Sequence, residues 1–250
     1  MTLVLPDLAP LVWALLAASA ALVGISKTAL PGINTISIAI FAAVLPARAS
    51  TGALLLLLIV GDVFALVSYR RHADWKTLVR LIPAVVAGLV AGALFLAFAD
   101  DSWVRRVIGT ILLLIIAFTL WNRFRRTAPE PTGGGLLRIG YGSLGGFSTM
   151  VANAGGPVMS LYFLSARFPV TAFLGTAAWF FAVINLVKLP VSIGLGLISW
   201  ETVLLDAMLI PGVIVGALIG RWIASRIKQQ AFEWAIVACT ILGALYLIIA

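Results

Sequence analysis

Long apolar stretches joined by short polar connections dominate this 250-residue chain. A stretch of about 20 apolar residues is long enough to cross the hydrocarbon core of a membrane as a helix. The chain is 62% hydrophobic and only 10% charged, whereas about a quarter of the residues of a soluble domain are charged. The sequence therefore predicts an all-α multi-pass membrane protein, with roughly eight to ten helical segments in one transmembrane domain over residues 1–250.

The basic residues are concentrated in three connections. The formal net charge is +8, and residues 70–80, 122–138 and 221–233 hold most of the 17 lysines and arginines. Cytoplasmic loops of membrane proteins carry such an excess, so we expect these connections on the cytoplasmic side of a bacterial inner membrane. No nucleic-acid partner is expected, because no soluble domain is left to present a basic surface.

Sequence motifs for catalysis or cofactor binding are missing. The chain has no HExxH, GxSxG or phosphate-binding loop, and its one cysteine, Cys239, rules out disulfides and cysteine–metal clusters. The one histidine, His72, lies in a basic connection, where we expect it to be solvated. We therefore expect no enzyme activity, no cofactor and no metal. The expected partners are the lipid bilayer and a small solute, and a homodimer is compatible with the sequence.

Two runs of glycine, proline and polar residues interrupt the apolar pattern, at Gly24–Asn34 and at Gly146–Pro157. Unsatisfied backbone is not tolerated in lipid, so such interruptions are typical of helices that line an internal cavity. The apolar segments that follow, residues 31–45 and 158–165, are too short to cross a membrane alone. We therefore expect discontinuous or re-entrant helices at both runs, and we expect the two runs to meet.

The two halves of the chain repeat each other. Pro83–Gly92 and Pro211–Gly220 share the spacing Pro-x4-Gly-x3-Gly, but equivalent connections carry opposite charge, basic at 70–80 and acidic around Glu201. Since lysine and arginine mark the cytoplasmic side, we expect inverted repeats of about five helical segments each. The predicted bounds are 8–121 for repeat 1, 122–138 for the linker and 139–250 for repeat 2.

Inverted repeats with broken helices predict a secondary transporter whose substrate site lies between the repeats. The N-terminus of a half-helix has unpaired N–H groups and a partial positive charge, which favours an anion. The candidate substrate-binding residues are Lys27, Thr28, Gly32, Asn34, Asn153, Gly155, Gly156 and Thr176.

Several candidates also have a structural interpretation. Lys27 either contacts the anion or has a structural role, in which its side chain reaches the cytoplasmic interface of the membrane or pairs with Asp62. Asn153 either donates to the substrate or caps a half-helix. Asp62, with Asn185 at the equivalent position of repeat 2, is a candidate proton carrier or a structural acid tied to Lys27. Lys188 is either a second cation at the site or an interfacial anchor, and we count it with Asp62 and Asn185 as a coupling candidate.

These motifs resemble the sulfite exporter TauE/SafE family. The resemblance rests on Gly24–Gly32, on Asn153–Pro157 and on the two Pro-x4-Gly-x3-Gly helices, and it extends over nearly the whole chain. It implies a permease, independent of ATP, for small anions such as sulfite, sulfoacetate or other organosulfonates. Alternatives are uptake instead of export, a channel for another small anion such as thiosulfate or a carboxylate, and a membrane-embedded enzyme or assembly factor.

Overall fold

The computed structural model describes residues 8–124, 135–165, 168–232, 234–235 and 238. Within these residues the regular elements are α-helices and two 3-10 turns, so the predicted all-α class is confirmed. The helices are α1 (Pro10–Thr28), α2 (Asn34–Val44), α3 (Ala47–Tyr69), α4 (Trp75–Phe98), α5 (Asp101–Phe124), α6 (Gly135–Ala152), α7 (Gly155–Ser165), α8 (Val170–Gly194) and α9 (Trp200–Ala224). Most of the predicted linker, and the predicted last segment with Cys239, lie outside the described residues.

Five of the described helical spans are long and apolar enough to cross a membrane, namely α1, α4, α8, α9 and Ala47–His72, which is α3 with the 3-10 turn that follows it. Polar caps define the starts of α4 and α9. Asp74 accepts a hydrogen bond from the Thr77 N–H at 2.7 Å, and Ser199 accepts one from the Thr202 N–H at 3.3 Å. These caps satisfy N–H groups that have no partner within the helix.

The helix interruptions are shorter than the sequence predicts. α1 and α6 continue through the polar residues that follow Gly24 and Gly146, so both glycines are helical. Within these two runs, the chain leaves the helical conformation only around residues 29–30 and 153–154. A helix discontinuity is therefore present within each of the runs Gly24–Asn34 and Gly146–Pro157, but it occupies only part of the run.

The two glycines have a packing role instead. Gly24 of α1 faces α9, where a Cβ atom would collide with the carbonyl oxygen of Val213. Gly146 of α6 faces α4, where a Cβ atom would collide with the carbonyl oxygen of Val85. Small residues allow helices to approach this closely within a membrane. The glycine signal in the sequence therefore reflects close contact of α1 with α9 and of α6 with α4.

Each short helix turns back along the helix that precedes it. The Ser37 hydroxyl of α2 donates to the Ser19 carbonyl of α1 at 3.0 Å, and Gly155 at the start of α7 packs against Thr149 of α6. Each half of the described chain thus begins with a helical hairpin whose second arm is short. α3 and α8 pack against each other and are the most buried of the candidate spans.

Candidate functional site

Buried polar side chains gather where the two helix interruptions meet. A Cβ atom on Gly156, in the first turn of α7, would lie 3.0 Å from the carbonyl oxygen of Pro31. The Asn34 side chain of α2 donates from Nδ2 to the Asn153 carbonyl at 3.3 Å. The starts of both short helices therefore lie together, and first-turn N–H groups have no partner within their own helix. Six polar side chains here are at most 4% exposed: Asn34, Asp62, Thr149, Asn153, Asn185 and Lys188.

Asn153 follows the last residue of α6 and connects it to three other helices. Its φ of 54° lies in the left-handed region, which asparagine adopts more readily than most residues with a Cβ. Its Nδ2 donates to the Thr51 carbonyl of α3 at 2.9 Å, and its Oδ1 accepts from Lys188 Nζ of α8 at 2.6 Å. With the bond from Asn34, the residue holds α2, α3 and α8 together. The Asn153 N–H donates to the Thr149 carbonyl at 3.1 Å, so the backbone of this residue ends α6 while its side chain bonds to other helices.

Lys27, Asp62 and Asn185 form a buried chain of contacts across α1, α3 and α8. Lys27 Nζ lies 2.6 Å from Asp62 Oδ1, and Asn185 Nδ2 donates to Asp62 Oδ2 at 2.6 Å. Lys27 Nζ also lies 4.7 Å from the centre of the Phe181 ring, within cation–π distance. The carboxylate thus has a donor on each oxygen. Of the two structural roles considered for Lys27, the structure has the pairing with Asp62.

Lys188 is also buried, but its partners are uncharged. The side chain is 1% exposed, and Nζ donates to the Thr149 carbonyl and to Asn153 Oδ1, both at 2.6 Å. The Thr149 hydroxyl lies 3.5 Å away. The alternative that Lys188 is an interfacial anchor was therefore wrong, because the ammonium group lies inside the helix bundle. α8 continues past Lys188 and through Pro190 to Gly194.

A small cavity lies between these side chains. Its volume is about 20 Å³, whereas one water molecule needs about 10–15 Å³. It therefore has room for water but not for a polyatomic anion. Asn34 Oδ1 and Asn185 Oδ1 accept no hydrogen bond from the described protein atoms. The lining residues are Ser26, Lys27, Pro31, Asn34, Leu58, Asp62, Thr149, Asn153, Gly156, Ala177, Ala178, Phe181 and Asn185.

The structure brings some of the predicted residues to this cavity and places others elsewhere. Thr28 donates its hydroxyl to the Gly24 and Ala217 carbonyls, and Thr176 accepts from the Asp74 N–H. Those contacts tie helix ends together away from the cavity wall. Lys188 lies behind the wall, in contact with two lining residues. The predicted residues in the lining are Lys27, Asn34, Asp62, Asn153, Gly156 and Asn185, and those outside it are Thr28, Gly32, Gly155, Thr176 and Lys188.

Sequence reasoning missed Thr149 and Phe181 as residues of the cavity wall. Thr149 was within the second polar run, at the position equivalent to Lys27, so the repeat itself could have identified it. Phe181 gave no such signal, because an aromatic residue within an apolar helix is ordinarily a packing residue. In the described part of the chain, no group of three His, Cys, Asp or Glu side chains could hold a metal ion.

Comparison with known proteins identifies one family. The family model described as sulfite exporter TauE/SafE matches residues 16–247, which is most of the chain. No curated protein and no solved structure gives a significant match. The match covers most of the first helical hairpin, all of the second, and every residue that lines the cavity.

Proposed function

Because the chain belongs to the sulfite exporter TauE/SafE family and is therefore a membrane transporter and not an enzyme, we propose that it carries small sulfur-containing anions by alternating access. The cavity between the helix interruptions is the proposed substrate site. Lys27, Asn34, Asn153 and Gly156 contact the anion there. Sulfite, sulfoacetate and related organosulfonates are the proposed substrates.

The observation that carries this proposal is an imbalance of charge around the cavity. Among the described residues, two amines lie here, the buried Lys188 and Lys27, whose side chain is 8% exposed, with one carboxylate, Asp62, which already pairs with Lys27. A buried charge without a counter-ion is costly, so an anion in the cavity would supply the missing partner. The starts of α2 and α7 add N–H groups and the positive ends of two helix dipoles.

Matched glycine contacts support the proposal that the two halves are inverted repeats. Gly216 of α9 packs on the Ala21 carbonyl of α1, and Gly88 of α4 packs on the Ser143 carbonyl of α6. Gly216 follows Gly88 by the same 128 positions that separate Pro211 from Pro83 in the sequence repeat. α1 therefore contacts α9 in the way that α6 contacts α4, with each pair formed across the two halves.

The helix caps and the central contact follow the same relation. Asp74 is the N-cap of α4 and Ser199 is the N-cap of α9. Each side chain accepts a hydrogen bond from the backbone N–H three residues further on. Asp62 and Asn185 are equivalent in the sequence repeat, and Asn185 Nδ2 of α8 donates to Asp62 Oδ2 of α3 at 2.6 Å. A site at this contact is shared by both repeats, which is where transporters built from inverted repeats bind their substrate.

Helix directions support a cytoplasmic position for two of the basic connections. Tyr69 near the end of α3 donates its hydroxyl to the Thr28 carbonyl at the end of α1, at 2.9 Å. Gly220 near the end of α9 packs against the same Thr28. Three helices therefore end together, beside the basic segments 70–80 and 221–232. We place this side in the cytoplasm of a bacterial cell whose inner membrane holds the protein.

The small cavity volume fits an alternating-access carrier in a closed state. About 20 Å³ admits water but no oxyanion, so the walls must separate before a substrate enters. We propose that the wall opens at the starts of α2 and α7, which lie at the two helix interruptions. Opening toward one side at a time would expose the same cavity to each face of the membrane in turn.

Thermal unfolding of the purified full chain tests the substrate class. Sulfite or a small sulfonate should raise the melting temperature, because a ligand at 100 times its Kd stabilises the folded state by about 2.7 kcal/mol. Sulfate, thiosulfate and small carboxylates are the comparison anions. Stabilisation by carboxylates alone would contradict the proposed substrate, and no stabilisation by any anion would contradict the proposed site.

Counterflow in proteoliposomes tests the mechanism. If the protein is a carrier, proteoliposomes preloaded with unlabelled sulfonate should transiently accumulate labelled sulfonate. If it is a channel, the labelled sulfonate should only equilibrate across the membrane. Lys27→Gln should abolish the accumulation, because it removes one of the two cations. Undiminished counterflow by Lys27→Gln would remove this residue from the proposed site.

A further inference from the structure

The two buried lysines differ in the charge of their partners. Lys27 has the Asp62 carboxylate at 2.6 Å, whereas Lys188 donates to a carbonyl and to an amide oxygen. Among the described residues, no carboxylate lies within ion-pair distance of Lys188. A buried ammonium with only neutral acceptors is unfavourable, and a buried amine avoids that cost by releasing its proton. Lys188 is therefore the group at this site whose charge depends most on what else is bound.

The contacts of Asp62 make it a poorer proton carrier. Its two oxygens accept from Lys27 and from Asn185, so the ionised carboxylate is already stabilised on both sides. Protonating Asp62 would leave the Lys27 ammonium buried without a counter-ion, which is strongly unfavourable. From the sequence, both Asp62 and Lys188 are coupling candidates, and the burial of Lys188 among neutral acceptors distinguishes them.

We propose that Lys188 binds one proton together with each substrate anion, so that the transporter couples anion movement to proton movement. This inference rests on the proposed function, since it concerns the same site. An anion beside Lys188 stabilises the ammonium form, and the ammonium form stabilises the bound anion by the same amount. As the walls separate, the anion takes the place of Asn153 Oδ1 as the acceptor for Lys188 Nζ. Anion and proton then enter and leave the site together.

The charged groups around Lys188 are consistent with this assignment. Across the cavity, α1 presents Lys27 and α3 presents Asp62, and these two charges offset each other. α6 presents Thr149 and Asn153, which do not titrate. The remaining titratable groups on elements packed against α8 fall into three sets. Those beside the ends of α8 are Arg48, Tyr69, Arg70, Arg71, His72 and Asp74. Lys76 and Arg80 are exposed on α4, and Tyr162 belongs to α7.

The test is a count of protons taken up on anion binding by the purified full chain. Methanesulfonate is the probe, because it does not titrate near neutral pH and any proton must therefore bind the protein. Calorimetric titrations in buffers of different ionisation enthalpy give the number of protons directly. We expect about one proton per anion above neutral pH, and a methanesulfonate Kd that rises up to about tenfold per pH unit as the pH increases.

Two variants with opposite fixed charges assign the proton to Lys188. Lys188→Arg is always charged, so it should bind the anion at every pH and take up no proton. Lys188→Gln is always neutral, keeps a donor for Thr149, and should bind more weakly, also without proton uptake. Lys76→Gln, a change at an exposed lysine, is the matched control and should behave as wild type.

The outcomes separate this inference from the proposed function. Proton uptake that persists in Lys188→Arg or in Lys188→Gln, whichever of them folds, overturns the assignment, as does wild-type binding without any uptake. Loss of uptake in Asp62→Asn with uptake retained in the Lys188 variants would move the proton to Asp62. If neither methanesulfonate nor sulfite nor sulfoacetate binds wild type, the proposed function fails and the inference fails with it.

Discussion

Lys27 and Lys188 are both buried lysines beside one cavity, yet they are held in different ways. Lys27 is half of an ion pair that joins α1 to α3, whereas Lys188 bonds to neutral oxygens of Thr149, in the last turn of α6, and of Asn153, just after it. Removing an ion-pair partner leaves a buried charge, whereas removing a donor from neutral acceptors leaves only unmade hydrogen bonds. The difference indicates that the first lysine matters more for stability and the second more for binding.

The largest effect is expected from Lys27→Met. The variant leaves Asp62 charged and unpaired, so the free energy of unfolding should fall by about 3–5 kcal/mol. Denaturant titration in detergent micelles measures this loss. The double variant Lys27→Met with Asp62→Asn should recover most of it, because both charges are then gone. A double variant no more stable than the single one would show that the ion pair is not the source of the loss.

Lys188→Met should cost less stability. It leaves the Thr149 carbonyl and Asn153 Oδ1 without their donor, and unsatisfied buried acceptors cost about 1–3 kcal/mol. The same denaturant titration compares the losses in free energy of unfolding for Lys188→Met and Lys27→Met directly. A loss for Lys188→Met as large as that for Lys27→Met would contradict the distinction, since it would imply a buried counter-ion for Lys188.

Matched glycine variants test whether the helix contacts of the two halves are equivalent, although Lys27 and Lys188 have different partners. Gly216→Ala and Gly88→Ala each force a methyl group against a backbone carbonyl, and each should cost about 1–3 kcal/mol. Gly194→Ala adds a methyl group in open space at the end of α8 and should be neutral or stabilising by about 0.5–1 kcal/mol. Very different costs for Gly216→Ala and Gly88→Ala would argue against inverted repeats.

The smallest effect concerns the backbone at Asn153. Asn153→Gly and Asn153→Ala lose the same side-chain bonds, but only glycine adopts a positive φ without strain. The alanine variant should therefore be about 1 kcal/mol less stable than the glycine variant in the same titration. Equal stability of the two variants would show that the turn at Asn153 relaxes to another conformation.

The sequence predicts the fold class and the family well, because both depend on apolar length, charge asymmetry and short motifs. It also predicts that Lys27, Asn34 and Asn153 lie near one another, since both interrupted runs point to the same cavity. It could not distinguish glycines that pack from glycines that break a helix, because both uses place glycine among apolar residues. Gly24 and Gly146 belong to the first kind.

The sequence offered the pairing of Lys27 with Asp62 only as one alternative, and it gave no partner for Lys188. Lys188 lies 35 positions from Asn153, and Lys27 lies as far from Asp62, so no local pattern joins either pair. The sequence left open whether Lys188 lies at the site or at the interface. In the structure neighbouring helices bury the lysine, which is 1% exposed. Whether a particular charged side chain is buried depends on packing across the whole helix bundle. The hydrophobic periodicity of the sequence gives no information about that packing.

The central claim is that the cavity beside the two lysines binds an anion, and calorimetric titration of sulfite into the full chain tests it most directly. Wild type and the exposed-lysine variant Lys76→Gln should bind sulfite with the same Kd. Lys188→Gln, which removes a charge from the site, should weaken binding at least about tenfold, or 1.4 kcal/mol. Equal affinity of all three proteins for sulfite would contradict the account, because the anion would then bind somewhere else.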